Sequence, residues 1–80
     1  MMKAKRTGNE EPSILDVVAL LTDSPAKGLA RGQVGTIVER LGEGALLVEF
    51  SDDSGRAYAI TTCQPAELLV LHYAPEAAAG

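Results

Sequence analysis

The stretch QVGTIVERLGEGALLVEF, residues 33–50, decides the fold. Residues 33–40 are rich in β-branched side chains, and residues 45–50 alternate so that one side is uniformly large and apolar. Residues 41–44 between them contain two glycines, which is typical of a turn. The stretch therefore predicts a β-hairpin. The inward side chains of its second strand are Leu46, Val48 and Phe50.

The first strand of this hairpin carries Val34, Thr36 and Val38 on one face. We expect Val34 and Val38 to enter the core. Gly35 within the strand indicates either a β-bulge or a place where another part of the chain approaches the backbone closely.

Two further strands are predicted downstream of the hairpin. In the first of them, Tyr58 and Ile60 alternate with smaller residues and are expected to point inward. Pro65 suits the first position of a short helical turn that precedes the last strand. The predicted elements are a turn at 51–56, a strand at 57–62, a helical turn at 64–67 and a strand at 68–73.

Upstream of the hairpin, residues 14–21 form a short apolar run rich in β-branched residues, which predicts a strand. A helix capped by Ser13 is the rival interpretation, but Pro25 limits its length and the adjacent valines disfavour it. Residues 22–32 then form an irregular loop, in which Leu29 is expected to pack on the core.

Five short strands, a long first loop and a helical turn before the last strand predict an all-β, five-stranded SH3-like barrel. An open five-stranded OB-type barrel is the main alternative. Residues 14–73 form the domain, and residues 1–13 and 74–80 are expected to be disordered tails. The predicted core comprises Val18, Leu20, Val34, Val38, Leu46, Val48, Phe50, Tyr58, Ile60, Leu68 and Val70.

Composition excludes several classes of protein. Hydrophobic residues make up 46% of the 80 residues and charged residues 22%, so the chain is expected to fold as one globular domain. A net charge of −4 disfavours nucleic-acid binding, which depends on basic residues that release counterions. No apolar run reaches the roughly 18 residues of a membrane span, and the single cysteine, Cys63, is expected to be a buried packing residue. We therefore expect a cytoplasmic protein without a membrane segment.

Catalytic and metal-binding patterns are weak. Asp52 and Asp53 are adjacent, but an Asp-Asp-Ser-Gly sequence is ordinary turn chemistry. His72 ends the last strand without a nucleophile that it could activate, and is expected on the surface. No histidine or second cysteine stands at ligand spacing from Cys63. We expect no enzyme activity, no cofactor and no metal.

Several segments together resemble a bacterial family of domains of unknown function. The resemblance covers residues 14–73 and begins with the opening Ile-Leu-Asp-Val-Val-Ala-Leu at residues 14–20. It implies an SH3-like barrel and a suspected association with toxin-like proteins, but no established activity. The other segments that carry it are 28–29, 31–39, 48–50, Asp53, 55–56 and 68–71.

A protein-binding role fits a small domain without a deep pocket. The long first loop supplies Lys27, Leu29 and Arg31, and Tyr73 is placed at its rim, so these four are the predicted contact residues for a partner. Alternatively, Lys27 and Arg31 only solubilise the loop and Leu29 belongs to the core. We expect an antitoxin-like or immunity-like partner of another protein, encoded nearby. The alternatives are a nucleic-acid-associated module and a homodimer that pairs through an edge strand.

A second mode of protein binding uses the acidic residues and predicts salt-sensitive association with a basic toxin. The acidic residues in question are Glu39, Glu43, Glu49, Asp52 and Asp53.

Overall fold

The computed structural model describes residues 12–72. They form one antiparallel sheet of five strands in the order β4-β3-β2-β1-β5, and their helical structure is confined to three short 3-10 turns. This confirms the predicted all-β class and the helical turn before the last strand. The strands are β1 Val17–Leu20, β2 Val34–Arg40, β3 Leu46–Ser51, β4 Ala57–Cys63 and β5 Leu68–Val70; the 3-10 turns are Pro25–Lys27, Gly42–Gly44 and Pro65–Glu67.

The sheet is curved, because a short connection joins its two edges. β4 and β5 lie at opposite edges and are linked by residues 64–67. Strands about 4.8 Å apart would put the edges of a flat five-stranded sheet ~19 Å apart. The chain from Cys63 at the end of β4 to Leu68 at the start of β5 would have to be fully extended to span that distance. It instead forms a 3-10 turn, which rises only ~2 Å per residue. The sheet therefore curls until the two edges approach each other.

The core lies on the concave side of this sheet. β3 alternates strictly, with Leu46, Val48 and Phe50 buried and the residues between them half-buried. Because β3 is the middle strand of the β2-β3-β4 hairpins, its three inward side chains form the centre of the core. The cluster consists of Val18, Leu20, Leu29, Ile37, Leu46, Val48, Phe50, Cys63 and Leu68, with Ala59 and Val70 packed against it.

The predicted inward face of β2 is wrong. Val34 and Val38 are 43% and 38% exposed, whereas Gly35 and Ile37 are buried on the core side of the strand. Gly35 lies opposite Phe50, and a Cβ atom there would stand only 2.9 Å from the Phe50 ring. The large aromatic side chain thus occupies the space that a side chain at position 35 would need, and Ile37 follows on the same side.

The predicted inward face of β4 is also wrong. Tyr58 and Ile60 are 46% and 58% exposed, while Ala59, Thr61 and Cys63 face the core. Ala59 pairs with Phe50 and Cys63 with Leu46, so small β4 residues lie opposite the large side chains of β3. The space between opposed strands in the core is limited, and two large side chains opposite each other would overfill it. A small side chain opposite a large one fits.

The first and last strands are shorter than predicted. Residues 13–16 form a turn in which Asp16 N–H donates to the Ser13 carbonyl at 3.0 Å, and Leu15 has a φ of 78°. A positive φ is incompatible with strand geometry, so β1 begins only at Val17. At the other end β5 stops at Val70, although the Leu71 N–H still donates to the Val17 carbonyl of β1 at 2.8 Å.

Candidate functional site

The long loop between β1 and β2 folds back on the domain. Its Ser24 and Leu29 exchange backbone hydrogen bonds of 2.8 and 3.1 Å around the Pro25–Lys27 turn, which Gly28 ends with a φ of 70°. Leu29 is only 4% exposed and belongs to the core cluster, which confirms the prediction that it anchors the loop on the core.

The remaining predicted contact residues have different surroundings. Lys27 is exposed, and its Nζ donates a hydrogen bond to the carbonyl of Thr62 on β4. Arg31 is exposed, and its backbone N–H donates to the Asp23 carboxylate at 2.9 Å. Tyr73 lies outside the described residues, as do most of the two predicted tails. The loop thus provides two exposed basic side chains, one of which contacts the edge of β4.

A second surface, which the sequence did not predict, is the convex side of the sheet, here called the outer face. Cross-strand pairs place its residues side by side: Thr36 lies between Val17 and Glu49, and Glu49 lies next to Ile60. The outer face consists of Val17, Ala19, Val34, Thr36, Glu39, Leu47, Glu49, Ile60, Thr62 and Leu69.

Three of the exposed side chains on the outer face are apolar. Val34, Ile60 and Leu69 are 43%, 58% and 49% exposed, and they lie on strands β2, β4 and β5. Single exposed apolar side chains are common on proteins, but several on one continuous face indicate a contact surface. Val34 and Ile60, which were predicted to lie in the core, therefore belong to a candidate contact surface.

The formal charges on the outer face are all negative. Glu39 lies opposite Leu47, and Glu49 lies opposite Ile60, so both carboxylates share the face with the apolar side chains. Directly opposed residues of antiparallel strands have Cβ atoms about 5 Å apart. The surface therefore combines apolar contact area with a negative potential, which is complementary to an apolar surface that carries lysine or arginine.

In the turn between β3 and β4, the first of the two adjacent aspartates, Asp52, is held by hydrogen bonds within the turn. The Asp52 carboxylate accepts hydrogen bonds from the Ser54 hydroxyl at 2.7 Å and from the backbone N–H groups of Ser54 and Arg56 at 2.9 and 3.0 Å. These hydrogen bonds hold the pKa of Asp52 below its usual value, and the bond from the Ser54 hydroxyl has the largest effect. Asp52 therefore acts as a turn-forming residue, as its sequence context predicts.

Cys63 is buried, as predicted, with 2% of its surface exposed. Burial raises the pKa of its thiol; the Glu67 carboxylate adds to the rise, and Lys27 opposes it. His72 is exposed. Within residues 12–72, no group of three or more histidine, cysteine, aspartate or glutamate side chains is placed to hold a metal ion. The same residues contain no helix that is long and apolar enough to span a membrane.

Fold and surface together define a small all-β domain with an apolar and acidic sheet face. The chain belongs to the family described as a domain of unknown function, DUF4926, which matches residues 14–70. Neither the curated proteins nor the solved structures give a match to the chain.

Proposed function

We propose that this domain is a non-catalytic protein–protein interaction module whose outer face binds an apolar, basic surface of another protein. The observation that carries the proposal is that one face of the sheet exposes apolar side chains on three of its strands, while its only formal charges are the carboxylates of Glu39 and Glu49. Removing the apolar side chains of such a face from water costs little free energy. Its charges make association faster and more specific.

The finer fold type is part of the proposal. The strand order, the long first loop and the 3-10 turn between β4 and β5 support an SH3-like barrel. We place the protein in the bacterial cytoplasm, in keeping with its single buried cysteine.

The partner that we propose is a protein encoded nearby, toward which this domain acts like an antitoxin or immunity protein. A basic active surface on the partner, of the kind that binds nucleic acid, matches the acidic outer face in charge. Inhibition would be steric, because a domain without catalytic chemistry of its own can still cover its partner's site. Lys27 and Arg31 of the long loop, with Tyr73, remain proposed contacts at the margin of this interface.

The experiment that tests the proposal is co-purification of the tagged protein from the organism that encodes it, at low and high salt and with nuclease treatment. We expect one stoichiometric protein that resists nuclease and dissociates at high salt. The variant Glu49→Lys should release it, because it reverses a charge on the outer face between Thr36 and Ile60.

The matched control is Glu43→Lys, which makes the same change of charge in the exposed turn Gly42–Gly44 outside the sheet. It should retain the partner. Equal retention by both variants would refute binding through the outer face. Capture of RNA or DNA that nuclease removes would instead establish the nucleic-acid-associated alternative.

A further inference from the structure

We infer that the partner binds by strand addition: an extended segment of it, alternating apolar and basic residues, pairs with the exposed edge of β4. This inference rests on the proposed function and specifies its mode. β4 is an edge strand of the described sheet, seven residues long, and its other side pairs with β3.

The composition of β4 is unusual for an edge strand. Edge strands of natural proteins are commonly protected by charged residues, proline or short length. The sequence of β4, AYAITTC at residues 57–63, contains no charged residue, no proline and no glycine, and it includes three β-branched residues and a tyrosine. These side chains favour the pleated geometry that pairing with another strand requires.

The backbone groups of β4 that face away from the sheet can be assigned from the pairing. Leu41 N–H donates to the Ala45 carbonyl at 2.8 Å, in register with the pair Arg40 and Leu46. Because bonded and non-bonded pairs alternate along an antiparallel ladder, the polar backbone groups of Leu47 point toward β2. Its partner on β4, Thr62, therefore directs its own N–H and C=O away from β3.

The contact with Lys27 agrees with this assignment, since Lys27 reaches the Thr62 carbonyl from outside the sheet. Two residues earlier, Ile60 has the same orientation by the period of the strand. Its pair with Glu49 is a non-bonded one, so the N–H and C=O of Ile60 also point outward. An added strand would satisfy these groups by backbone hydrogen bonds, which is how extended peptides bind to sheet edges.

Charge selects the kind of strand that is added. Side chains of an added strand on the outer face would stand beside Ile60, and Glu49 lies one strand further in. Two strand spacings amount to ~10 Å, which is about one Debye length at 0.1 M salt. A lysine or arginine on the added strand is therefore attracted by Glu49, and a glutamate is repelled. Because the domain itself is acidic, with a net charge of −4, this selection also disfavours a second copy of the same chain.

Lys27 limits the length of the added strand. Its ammonium group occupies the Thr62 carbonyl, so pairing is confined to the part of β4 around Tyr58 and Ile60. A lysine at an edge also acts as a common protection against indiscriminate pairing. The edge is thus closed at one end and open in its middle.

The test uses the full chain and peptide probes of defined sequence. The probe is a seven-residue peptide, blocked at both ends, in which valine and lysine alternate; the matched control replaces every lysine by glutamate. Amide chemical shifts in NMR spectra report where each peptide binds. We expect the valine–lysine peptide to shift amides of β4 first, with affinity falling at least several-fold between 50 and 300 mM salt, and the valine–glutamate peptide to bind at least tenfold more weakly.

A second pair of probes separates strand pairing from simple apolar contact. Methylation of alternate peptide nitrogens removes backbone donors without changing the protein, and should abolish binding when the methylated edge faces β4. In the protein, Ile60→Pro removes an outward N–H and leaves the bonds to β3 in place, whereas Ile60→Thr keeps the N–H and removes apolar area. We expect Ile60→Pro to weaken binding at least tenfold more than Ile60→Thr, while the spectrum of each variant shows whether it is folded.

Each contrary result overturns the inference. Equal binding of both charged peptides, insensitivity to N-methylation, or shifts confined to other strands would refute strand addition at β4. Concentration-dependent shifts of β4 amides without any peptide would identify a second copy as the occupant. If folded Ile60→Pro still retains the natural partner while Glu49→Lys loses it, strand addition is wrong and the proposed function stands; if neither variant loses it, both are wrong.

Discussion

Gly35 is the residue at which the fold tolerates least change. A Cβ atom there would lie 2.7 Å from Val48 Cγ1, 2.9 Å from the Glu49 carbonyl oxygen and 2.9 Å from Phe50 Cδ2. One of these neighbours is backbone and the other two are fully buried side chains, so none can move aside cheaply. We predict that Gly35→Ala lowers the free energy of unfolding by about 1–3 kcal/mol, the range typical of an overpacked core, as measured by urea denaturation.

The control is Gly42→Ala, because a Cβ atom at Gly42 would meet nothing within 4 Å. Its unfolding midpoint should stay close to that of the unaltered protein. If both variants unfold at the same urea concentration as the unaltered protein, the close approach of β2 and β3 at Gly35 is not as tight as the distances indicate.

Asp52 makes the stability of the fold depend on pH. Its pKa is lower in the folded chain because the Ser54 hydroxyl and the backbone N–H groups of Arg56 and Ser54 donate to the carboxylate. The ionised form therefore stabilises the fold above the ordinary carboxyl pKa of about 3.9, and this contribution is lost as the pH falls through the lowered pKa. We predict that Asp52→Asn lowers the melting temperature at pH 7, and that the difference from the unaltered protein shrinks toward pH 2.

Asp53→Asn is the matched control, since it removes the same charge from the same turn while leaving the three hydrogen bonds to Asp52 intact. Its melting temperature should follow that of the unaltered protein across the range. Parallel melting curves for Asp52→Asn and Asp53→Asn would show that the hydrogen bonds to Asp52 add nothing to stability.

At the scale of the elements, the sequence predicts the strands well and their faces less well. β3 was predicted with the correct inward side chains, because only one of its faces is uniformly large and apolar. In β2 and β4 both faces carry apolar residues, so alternation alone cannot decide between them. The deciding factor is complementarity across the ladder: Gly35 and Ala59 lie on either side of Phe50, and neither glycine nor alanine reads as a core residue in isolation.

The outer face was missed for the same reason. The sequence pattern places Val34 and Ile60 in the core, although both are exposed, and so leaves only the long loop and the acidic residues as candidate contact surfaces. Glu49, which lies directly opposite Ile60, indicates the exposed side of β4, because a carboxylate on a strand marks a face that water reaches. The loop prediction was correct for Leu29 as an anchor, since it is the only large apolar residue of the loop at residues 22–32.

The contact between Lys27 and the Thr62 carbonyl leads to a prediction about which part of the β4 edge can pair with an added strand. Lys27→Gln shortens the side chain and removes its charge, so the Thr62 carbonyl loses its cap and becomes available to an added strand. One additional net hydrogen bond contributes about 0.5–1.5 kcal/mol, which corresponds to a roughly 2–10-fold gain in affinity. We expect the valine–lysine peptide to bind Lys27→Gln more tightly by that factor in NMR titrations, with shifts that extend to Thr62.

Arg31→Gln serves as the control for charge. It removes one positive charge from the same loop, and the contact of Arg31 with Asp23 is retained because it uses the backbone N–H. An equal gain in affinity for both variants would attribute the effect to reduced repulsion of a basic peptide and not to the uncapped edge.

At the scale of the whole molecule, the apolar outer face and the negative charge act against each other. With a net charge of −4 at pH 7 and an isoelectric point near 4.8, copies of the domain repel one another at neutral pH although their outer faces are apolar. Protonation of carboxylates removes that repulsion as the pH approaches 4.8, and uncharged proteins associate more readily. We therefore predict that light scattering shows a monomer at pH 7 and growing assemblies as the pH falls toward 5.

The site of this association can be located with two variants that change the net charge equally. Leu69→Lys places a charge on the outer face, at a residue that is 49% exposed, whereas Asp53→Asn removes a negative charge from the turn that follows β3. Both raise the net charge by one unit, so repulsion between copies falls equally in both. Leu69→Lys should nevertheless suppress assembly and Asp53→Asn should promote it, because only the former interrupts the apolar surface. Promotion by both would mean that net charge alone governs association and that the outer face is not its contact surface.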